Sequence, residues 1–411
     1  MKICGIIAEY NPFHTGHAYH IRETRRILGS DTAILCVMSG NYVQRGDVAI
    51  LEKYRRARAA VRCGADLVVE MPLSAALSSA KGFAWGGVEL LTRLQCVDAL
   101  SFGSECGDLQ AMQETVSLLQ SEALTPLLRK YLVSGLSYAA AQQQALAELS
   151  PAHAALLSTA NNTLGIEYLS ALRALDSSIT PVTVTRRGAA HDAEALREGA
   201  YPSASALRQL ILSGKAGDCL PYLPRESAEE LFSALNEKEA PACLSNCADA
   251  LLSYFRRAEP DTILRCTDGD EGLASRLLRA IRTQTSFDAI CSEAQTRCYP
   301  LARIRRVLLR LYLSLDNSVP PTAEYARVLA IGPRGREILR AGQDSGFPLI
   351  VKPTSERSLP AELQPRLRLD ELADDLYALM QPGEAYHIAG ARFRKTPYVS
   401  PKVHLDFPST S

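Results

Sequence analysis

Short apolar runs alternate with longer amphipathic stretches through the first third of the chain. The apolar runs are Lys2–Ala8, Thr32–Met38, Asp66–Glu70 and Val97–Phe102. Each has the length of a strand and lacks the alternation of a half-exposed one, which is typical of strands covered on both faces. The helix-like stretches between them are Gly16–Leu28, Glu52–Cys63 and Ala80–Arg93. This order predicts parallel strands with right-handed crossovers, and therefore an open, doubly wound α/β sheet.

Polar and glycine-rich segments come directly after each of these strands. They are Glu9–His17, Ser39–Gly46, Glu70–Pro72 and Gly103–Gly107. In open parallel sheets ligands bind outside the carboxyl ends of the strands. We therefore expect these four segments, which are far apart in sequence, to converge on one crevice.

The rest of the chain is richer in helical patterns. Residues from Asp108 to about Leu157 read as helical, Ile179–Thr185 as a further strand, and Ser205–Ser213 as a short helix. Residues 245–340 look mostly helical, and the last seventy are ambiguous. We expect a doubly wound, Rossmann-like domain at residues 1–218, followed by a mainly helical C-terminal region at residues 219–411.

Composition narrows the class of protein. The 411 residues are 47% hydrophobic and 22% charged, and the 45 basic side chains equal the 45 acidic ones in number. This excludes a disordered chain and one that is basic throughout, so contact with a nucleic acid would need a local patch. No run approaches the roughly 18 apolar residues of a membrane span. Eleven cysteines without a CxxC pair indicate a reducing, cytoplasmic setting.

The strongest chemical signal is the segment EYNPFHTGH, residues 9–17, between the first strand and the first helix. His14 and His17 are three residues apart, so both imidazoles can face one ligand, and His20 continues the same ridge. Gly16 lets an anion approach the backbone, and a helix N-terminus favours negative charge. This combination predicts a phosphate site without a Walker lysine. The alternatives are a metal site, which lacks acidic or cysteine ligands at matching spacing, or no function.

The HTGH motif, residues 14–17, resembles the HxGH signature of the nucleotidyltransferase superfamily. The longer motifs resemble the bacterial tRNA(Met) cytidine acetate ligase family through most of the chain. They are EYNPFHTGHAYHI (9–21), MSGNYVQRGD (38–47), GADLVVEMP (64–72), FGSECGD (102–108) and NNTLGIEY (161–168). The resemblance implies a nucleotidyltransferase-like ATP-binding catalytic domain at residues 1–218 and a tRNA-binding C-terminal region.

The activity implied by this resemblance is ATP-dependent activation of acetate as acetyl-adenylate. The acetyl group then passes to N4 of the wobble cytidine of elongator tRNA(Met), without acetyl-CoA. The implied partners are ATP, acetate and this tRNA, with no DNA and no membrane. We expect Mg²⁺ with the ATP phosphates, and we name no protein residue as a metal ligand.

The resemblance also implies residue roles, with His14 and His17 as the catalytic pair on the phosphates. Gly103 would lie against adenosine or simply form a turn, and Asn162 would supply an amide. Of Arg186 and Arg187, one would contact the nucleotide, unless both form a solvated strand edge. The segment that would wrap ATP consists of Ile7, Ala8, Glu9, Tyr10, Asn11, Pro12, Phe13, His14, Thr15, Gly16, His17, Ala18, Tyr19 and His20.

Ser203, Ser205 and Arg208 form a possible second anion cradle at the start of a short helix. The group is similar to the serine–arginine motif of the wider superfamily. An ordinary helix cap followed by a surface arginine would give the same pattern. Another segment, Ser39–Asp47, mixes aromatic, amide and cationic groups, and would hold the acceptor base or acetate, or form a polar surface loop.

A basic stretch in the C-terminal region predicts contact with RNA. No acidic residue lies between Glu293 and Asp316, and an aromatic ring is interleaved. The predicted RNA-binding residues are Arg297, Tyr299, Arg303, Arg305 and Arg306. The alternative is a solvated helix face.

Three functions follow from these features. The first is the ATP-dependent RNA ligase just described, in which AMP is the leaving group that lets a weakly nucleophilic cytosine amine react. The second is a small-molecule adenylyltransferase with the same HxGH chemistry. The third is a non-catalytic RNA- or nucleotide-binding protein.

Overall fold

The computed structural model describes residues 1–186 and 203–401. Its strands are β1 (Ile3–Ala8), β2 (Ala33–Met38), β3 (Tyr42–Val43), β4 (Asp47–Val48), β5 (Leu67–Glu70), β6 (Ala99–Ser104), β7 (Thr180–Thr185), β8 (Ala326–Ile331), β9 (Leu349–Ile350) and β10 (Tyr398–Val399). The order in the main sheet is β10-β8-β5-β2-β1-β6-β7, and β9 pairs with β8. β3 and β4 form a separate antiparallel hairpin.

The α-helices of the described residues cover both faces of the sheet and build most of the C-terminal region. They are α1 (Thr15–Leu28), α2 (Lys53–Arg62), α3 (Leu73–Ala76), α4 (Ala80–Arg93), α5 (Leu109–Leu119), α6 (Leu124–Val133), α7 (Tyr138–Leu149), α8 (Pro151–Leu156), α9 (Ala160–Ala174), α10 (Ala204–Leu212), α11 (Arg225–Asn236), α12 (Ala248–Arg257), α13 (Pro260–Cys266), α14 (Glu271–Thr283), α15 (Phe287–Ala294), α16 (Leu301–Tyr312), α17 (Gly335–Gln343) and α18 (Gln364–Ala378).

The central strands are buried on both faces, as their continuous apolar runs predict. Along β2, Leu35 and Val37 face a core shared with α4, α5 and α9, whereas Ile34 and Cys36 face a core shared with α1 and α2. β1 pairs in parallel with β2 and with β6, and β6 pairs in parallel with β7. The doubly wound α/β fold is confirmed, and β6 begins two residues after its predicted start at Val97.

The C-terminal region is not wholly helical. β8 lies within the stretch expected to be mostly helical, and it pairs antiparallel with β5. Every residue of β8 is buried, so the strand extends the apolar core of the N-terminal sheet. The boundary near residue 218 stays a prediction, and the chain after it returns to the sheet through β8 and β10.

A second apolar core lies in the helices of the C-terminal region. Side chains of α12 to α16 and of α18 form it, and Tyr42 of β3 packs into it. The β3–β4 hairpin therefore lies between the sheet and the helical region. Within the described ranges, no helix combines the length and apolar character needed to cross a bilayer.

Candidate active site

The site lies where the strand order changes direction. From β1 the chain proceeds outward through β2 to β5 on one side, and later through β6 to β7 on the other. At such a point the loops that follow the two neighbouring strands, here β1 and β6, diverge and form the usual ligand position of an open α/β sheet, and we refer to this position as the crevice. The two loops are residues 9–14 and 105–108.

His14 and His17 cap the first helix reciprocally. The Gly16 N–H donates to His14 Nδ1 at 3.0 Å, and the His14 N–H donates to His17 Nδ1 at 3.1 Å. The two rings stack with centroids 3.8 Å apart and an interplanar angle of 27°. This capping box satisfies two N–H groups of the helix start and fixes the orientation of both imidazoles.

The same geometry determines the tautomer of both rings. Burial, together with the nearby cations Arg186 and Arg208, lowers the pKa of His14 to about 3. Burial, with His14 and Arg186, also holds the pKa of His17 well below its usual range. Both rings are therefore neutral, and because each Nδ1 accepts a hydrogen bond, each proton lies on Nε2. The crevice gains two N–H donors that carry no charge.

Aromatic residues of the loop support these imidazoles from the protein interior. Tyr10 and Phe13 are buried, and their ring centroids lie 4.9 and 5.4 Å from that of His17. Tyr10 has a φ of 49°, a left-handed conformation that is uncommon for a bulky residue. Its hydroxyl lies 3.3 Å from the Cys36 sulfur. The loop is held in a strained shape by core packing, which is typical of functional sites.

Asn11 carries a buried donor that its surroundings leave unused. Its Oδ1 accepts a hydrogen bond from the Ile50 N–H at 3.0 Å. Its Nδ2 is buried and has no hydrogen-bond partner among the described residues. An unsatisfied buried amide costs about 1–3 kcal/mol. An oxygen of a bound ligand within reach of Nδ2 would remove this cost.

The remaining members of the predicted ATP-binding segment have mixed positions. Ile7, Ala8 and Ala18 pack against the apolar cores, Pro12 is buried, and Thr15 begins α1. The Glu9 carboxylate accepts the Gln44 N–H at 2.8 Å. The Tyr19 hydroxyl donates to the Thr185 carbonyl at 3.5 Å, and His20 Nε2 lies 2.9 Å from Ser101 Oγ. Burial lowers the pKa of His20 to about 4.

Gly103, Arg186 and Asn162 lie on the β6–β7 side of the crevice. A Cβ on Gly103 would lie 3.2 Å from Cγ of Arg186, so the absent side chain makes room for the stem of this arginine. Asn162 is buried, and its Oδ1 accepts the N–H groups of Glu105 and Cys106 at 2.9 and 3.2 Å. Asn162 thus shapes the loop after β6. Arg187 lies outside the described residues.

The predicted serine–arginine cradle contacts the loop after β1. Ser203 caps α10 by accepting the Ala206 N–H at 3.2 Å. Arg208 donates to the Asn11 carbonyl and to Ser205 Oγ, both at 3.0 Å. Burial lowers the pKa of Arg208, and the neighbouring cation Arg45 adds to this effect. α10 therefore brings a desolvated guanidinium to the histidine loop.

Arg56 is a structural determinant of the site that the sequence pattern did not reveal. It is fully buried, and its guanidinium donates to the backbone carbonyls that follow both β1 and β2. Its acceptors are Leu51, Glu9, Ser39 and Gly40. In the sequence it belongs to KYRRARAAVR, residues 53–62, which reads as an ordinary basic helix. No local signal distinguishes it from Arg55 and Arg58, which are half-buried.

The predicted RNA-binding residues lie on and before α16 with different surroundings. Arg297 is exposed. Tyr299 and Arg303 both bind the Asp270 carboxylate, at 3.0 and 3.1 Å, and the Arg303 guanidinium lies 5.5 Å from the Tyr299 ring centre. The carboxylate that binds these side chains therefore comes from a distant part of the sequence, the start of α14.

Arg305 and Arg306 contact the β3–β4 hairpin. Arg305 donates to the Gly46 carbonyl at 3.1 Å and pairs with Asp47 at 3.1 Å. Arg306 donates to the Gln44 carbonyl at 2.9 Å, and burial between other cations lowers its pKa to about 10. These two arginines fasten the hairpin to α16, and their assignment to RNA stays a prediction.

A protein-built metal centre is not apparent in the described ranges. No group of three or more His, Cys, Asp or Glu side chains there is arranged to hold an ion. The crevice instead presents neutral N–H donors, a buried amide and guanidinium groups. This set suits a polyphosphate.

Comparison with known proteins extends this chemistry. The family model described as HIGH Nucleotidyl Transferase matches residues 1–391. A tRNA(Met) cytidine acetate ligase of Acetivibrio thermocellus is 35% identical, over 96% of this chain and 98% of its own length. Another, from Alkaliphilus metalliredigens, is 34% identical, over 96% of this chain and 99% of its own length.

Two solved structures of Thermotoga maritima TmcAL share the fold, and each is 29% identical to this chain and matches 97% of it and 99% of the solved chain. The apo form aligns with a TM-score of 0.92, and the form bound with alpha-thio ATP with a TM-score of 0.89. The chain therefore belongs to the HIGH nucleotidyl transferase family and, within it, to the tRNA(Met) cytidine acetate ligases.

Proposed function

We propose that this protein is an ATP-dependent ligase that joins acetate to N4 of the wobble cytidine of elongator tRNA(Met). The observation that carries the proposal is the pair of neutral, stacked imidazoles at the carboxyl end of β1, flanked by Arg186 and Arg208. The names of the relatives support acetate, cytidine and tRNA(Met) as reactants, and the alpha-thio ATP complex supports ATP.

In the first step, an acetate oxygen forms a bond to the α-phosphorus of ATP. The bond from this phosphorus to the bridging oxygen breaks, and pyrophosphate leaves with the electron pair. His14 and His17 donate from Nε2 to phosphate oxygens as charge accumulates on them. Preorganised donors of this kind contribute about 3–4 kcal/mol each to transition-state stabilisation. The capping box keeps both rings in place, so little reorganisation is needed.

In the second step, the N4 amine of cytidine attacks the acetyl carbon of the mixed anhydride. The bond between that carbon and the adenylate oxygen breaks, AMP leaves with the electron pair, and N4 loses one proton. Activation is required because the exocyclic amine of cytosine is a poor nucleophile. Mg²⁺ would lower the charge on the ATP phosphates, bound by their oxygens and by water.

The adenosine would lie on the side of Gly103, Asn162 and Arg186, with the phosphates toward Ser203, Ser205 and Arg208. For the tRNA backbone we propose Arg297, Tyr299 and Arg303, with Arg305 and Arg306 in the same patch. All eleven cysteines are free thiols, which supports a cytoplasmic location.

The test is incubation of the purified protein with ATP, Mg²⁺ and acetate, with hydroxylamine to trap an activated acetyl group. We expect acetyl-hydroxamate and pyrophosphate that both depend on acetate. With a tRNA(Met) transcript in place of hydroxylamine, we expect N4-acetylcytidine at the wobble position by mass analysis. Turnover with a phosphorylated metabolite but not with acetate would contradict the proposal. So would ATP binding without turnover on either acceptor.

A further inference from the structure

The β3–β4 hairpin brings an additional cation to the phosphate side of the crevice. Arg45, at its tip, donates through Nη1 to Ser205 Oγ at 3.2 Å. Arg208 donates to the same oxygen from Nη2 at 3.0 Å. Two guanidinium groups thus converge on one hydroxyl, although like charges repel. Such a pair is favoured where an anion binds both groups, because guanidinium is well suited to phosphate oxygens.

The hairpin tip is held in place from both sides. Toward the crevice, the Gln44 N–H is bound by the Glu9 carboxylate at 2.8 Å. Away from it, Arg306 donates to the Gln44 carbonyl at 2.9 Å. Gly46 has a φ of 75°, and a Cβ there would lie 2.5 Å from the Arg306 backbone nitrogen. Arg45 therefore projects from a rigid support rather than from a free loop.

The surrounding charges show which part of a nucleotide Arg45 would meet. Arg186 lowers the pKa of His14, His17 and His20, whereas Arg208 affects His14 alone of the three. Arg186 packs against Gly103, and Arg208 donates to the Asn11 carbonyl of the histidine loop, so the two arginines mark the β6 side and the α10 side of the imidazoles. Arg45 shares the Ser205 hydroxyl with Arg208, which places it on the α10 side as well. This order runs from the adenosine side near Gly103, past the imidazoles, to the far end of the phosphate chain.

The distribution of charge in the crevice supports the same position for Arg45. The imidazoles donate hydrogen bonds but are neutral, so the positive side chains that the described residues bring to the crevice are arginines. When the bond to the β-phosphate breaks, the electron pair moves onto pyrophosphate. A guanidinium beyond Arg208 is positioned to stabilise that charge.

We propose that Arg45 is a further catalytic residue, which together with Arg208 binds the β- and γ-phosphates of ATP and stabilises the departing pyrophosphate. This assignment rests on the proposed function and extends it. The segment Ser39–Asp47 would then bind the β- and γ-phosphates of ATP, whereas its sequence led us to expect the acceptor base or acetate. In this proposal Arg305 and Arg306 support catalysis indirectly, because they hold the hairpin that carries Arg45.

The test compares ligands that do or do not contain pyrophosphate, by calorimetry without acetate or tRNA. The ligands are AMP, pyrophosphate and an ATP analogue with a methylene bridge between the α- and β-phosphates. Arg45→Ala should weaken the analogue and pyrophosphate about ten- to hundredfold, as expected for a lost hydrogen bond to a charged group, and leave AMP unchanged. Arg45→Lys, which keeps the charge, should restore part of the affinity. Arg26→Ala, an exposed arginine on α1, is the matched control.

Equal weakening of AMP and the analogue would indicate a purely structural role and overturn the proposal. Unchanged binding of the analogue and pyrophosphate, with a higher KM for acetate, would overturn it in favour of an acetate site. If Arg45→Ala fails to fold, Arg45→Lys and Arg45→Gln provide the same comparison. Failure of the wild-type protein to bind the analogue would refute the proposed function itself, whereas binding that is indifferent to Arg45 refutes only this inference.

Discussion

The imidazole rings of His14 and His17 stack 3.8 Å apart, and each accepts a backbone N–H at Nδ1. These two hydrogen bonds cap α1, fix the tautomer and leave the proton of each ring on Nε2. In each ring Nδ1 has the structural role, as acceptor in the helix cap, and Nε2–H has the chemical role, as donor to a ligand. Substitutions that imitate one nitrogen at a time can separate the two roles.

His17→Asn should remain folded yet lose catalysis. The Asn Oδ1 can replace Nδ1 in the capping box, but nothing replaces the Nε2–H donor. We expect acetate-dependent pyrophosphate release to fall about 10²–10³-fold, the usual cost of one preorganised donor. His17→Ala, which removes both ring nitrogens, should abolish the release of pyrophosphate. Coupled detection of pyrophosphate, with circular dichroism as the folding check, measures both effects.

His17→Gln is the matched control, because its Nε2 can imitate the donor while the cap is lost. It should retain more activity than His17→Asn and be less stable to urea, since a lost cap costs about 1 kcal/mol. Full activity in His17→Asn would remove the role assigned to Nε2.

The stability of the protein should fall steeply in acid. An unfolded histidine has a pKa of about 6.5, whereas in the folded protein His14 has a pKa of about 3 and His20 of about 4. Below about pH 6.5 the unfolded state binds more protons, so the free energy of unfolding decreases as pH falls. Between about pH 6 and its folded-state pKa, each such histidine contributes a slope of up to about 1.4 kcal/mol per pH unit. Urea unfolding at a series of pH values measures the sum.

His20→Gln keeps a nitrogen for Ser101 and removes one titrating group. Its pH slope should be shallower than that of the wild-type protein. An identical slope would show that His20 is not buried in its neutral form.

Lys53 links the N-terminal sheet to the C-terminal region. Its side chain is 1% exposed, and Nζ lies 2.8 Å from Glu70 and 2.7 Å from Asp374. Burial works against the charge, but the carboxylates of Asp374 and Glu70 outweigh it and raise the pKa of Lys53. Lys53→Met leaves the largely buried Asp374 without its cation, and leaves Glu70 with only Arg327 at 3.4 Å, and should cost about 3–5 kcal/mol in urea unfolding.

The matched control is Lys130→Met, which breaks an exposed pair with Glu148 and should change stability little. Adding Asp374→Asn to Lys53→Met should recover part of the loss. If Lys53→Met is as stable as the control, the buried network does not join the two regions.

Neutralising Arg297 and Arg303 should weaken tRNA binding without affecting ATP. Each lost phosphate contact reduces the slope of log K against log salt by about 1. Filter binding of tRNA(Met) across a salt series measures this slope for Arg297→Gln combined with Arg303→Gln. An unchanged slope would exclude these two residues from the RNA surface.

Arg306→Gln serves as the comparison for that pair. Because Arg306 binds the hairpin that carries Arg45, this variant should also weaken ATP binding. Loss of tRNA binding alone would contradict the supporting role of Arg306 in the crevice.

The local pattern of apolar and polar residues was sufficient to predict much of the N-terminal fold. The apolar runs that became β1, β2 and β5, and the helix that begins after His14, depend on residues within a few positions of each other. Ala80–Arg93 was predicted with the bounds that α4 has. That the loops after β1, β2, β5 and β6 lie at one edge of the sheet also followed from sequence, because parallel strands place their carboxyl ends at the same edge.

Long-range partners could not be predicted in the same way. The apolar run of β8 resembles a buried helix segment, and only its pairing with β5 identifies it as a strand. Arg56 and Arg305 look like surface cations until folding brings carbonyls and acids against them. The arginines of α16 have no acid nearby in sequence, yet Asp270, Asp288 and Asp47 partner them in space.

The sequence by itself determined the central strands β1, β2, β5 and β6, the helix that begins after His14 and the polar character of the loops at their carboxyl ends. Only the tertiary structure decided which cations lie at the crevice, such as Arg208, and which hold its loops in place, such as Arg56. A charged side chain has no periodic signature of burial, and its energy depends on partners that can be far away, such as Asp374, which is 321 residues from Lys53. Backbone periodicity is a local property, whereas the pairing of buried charges is a property of the whole fold.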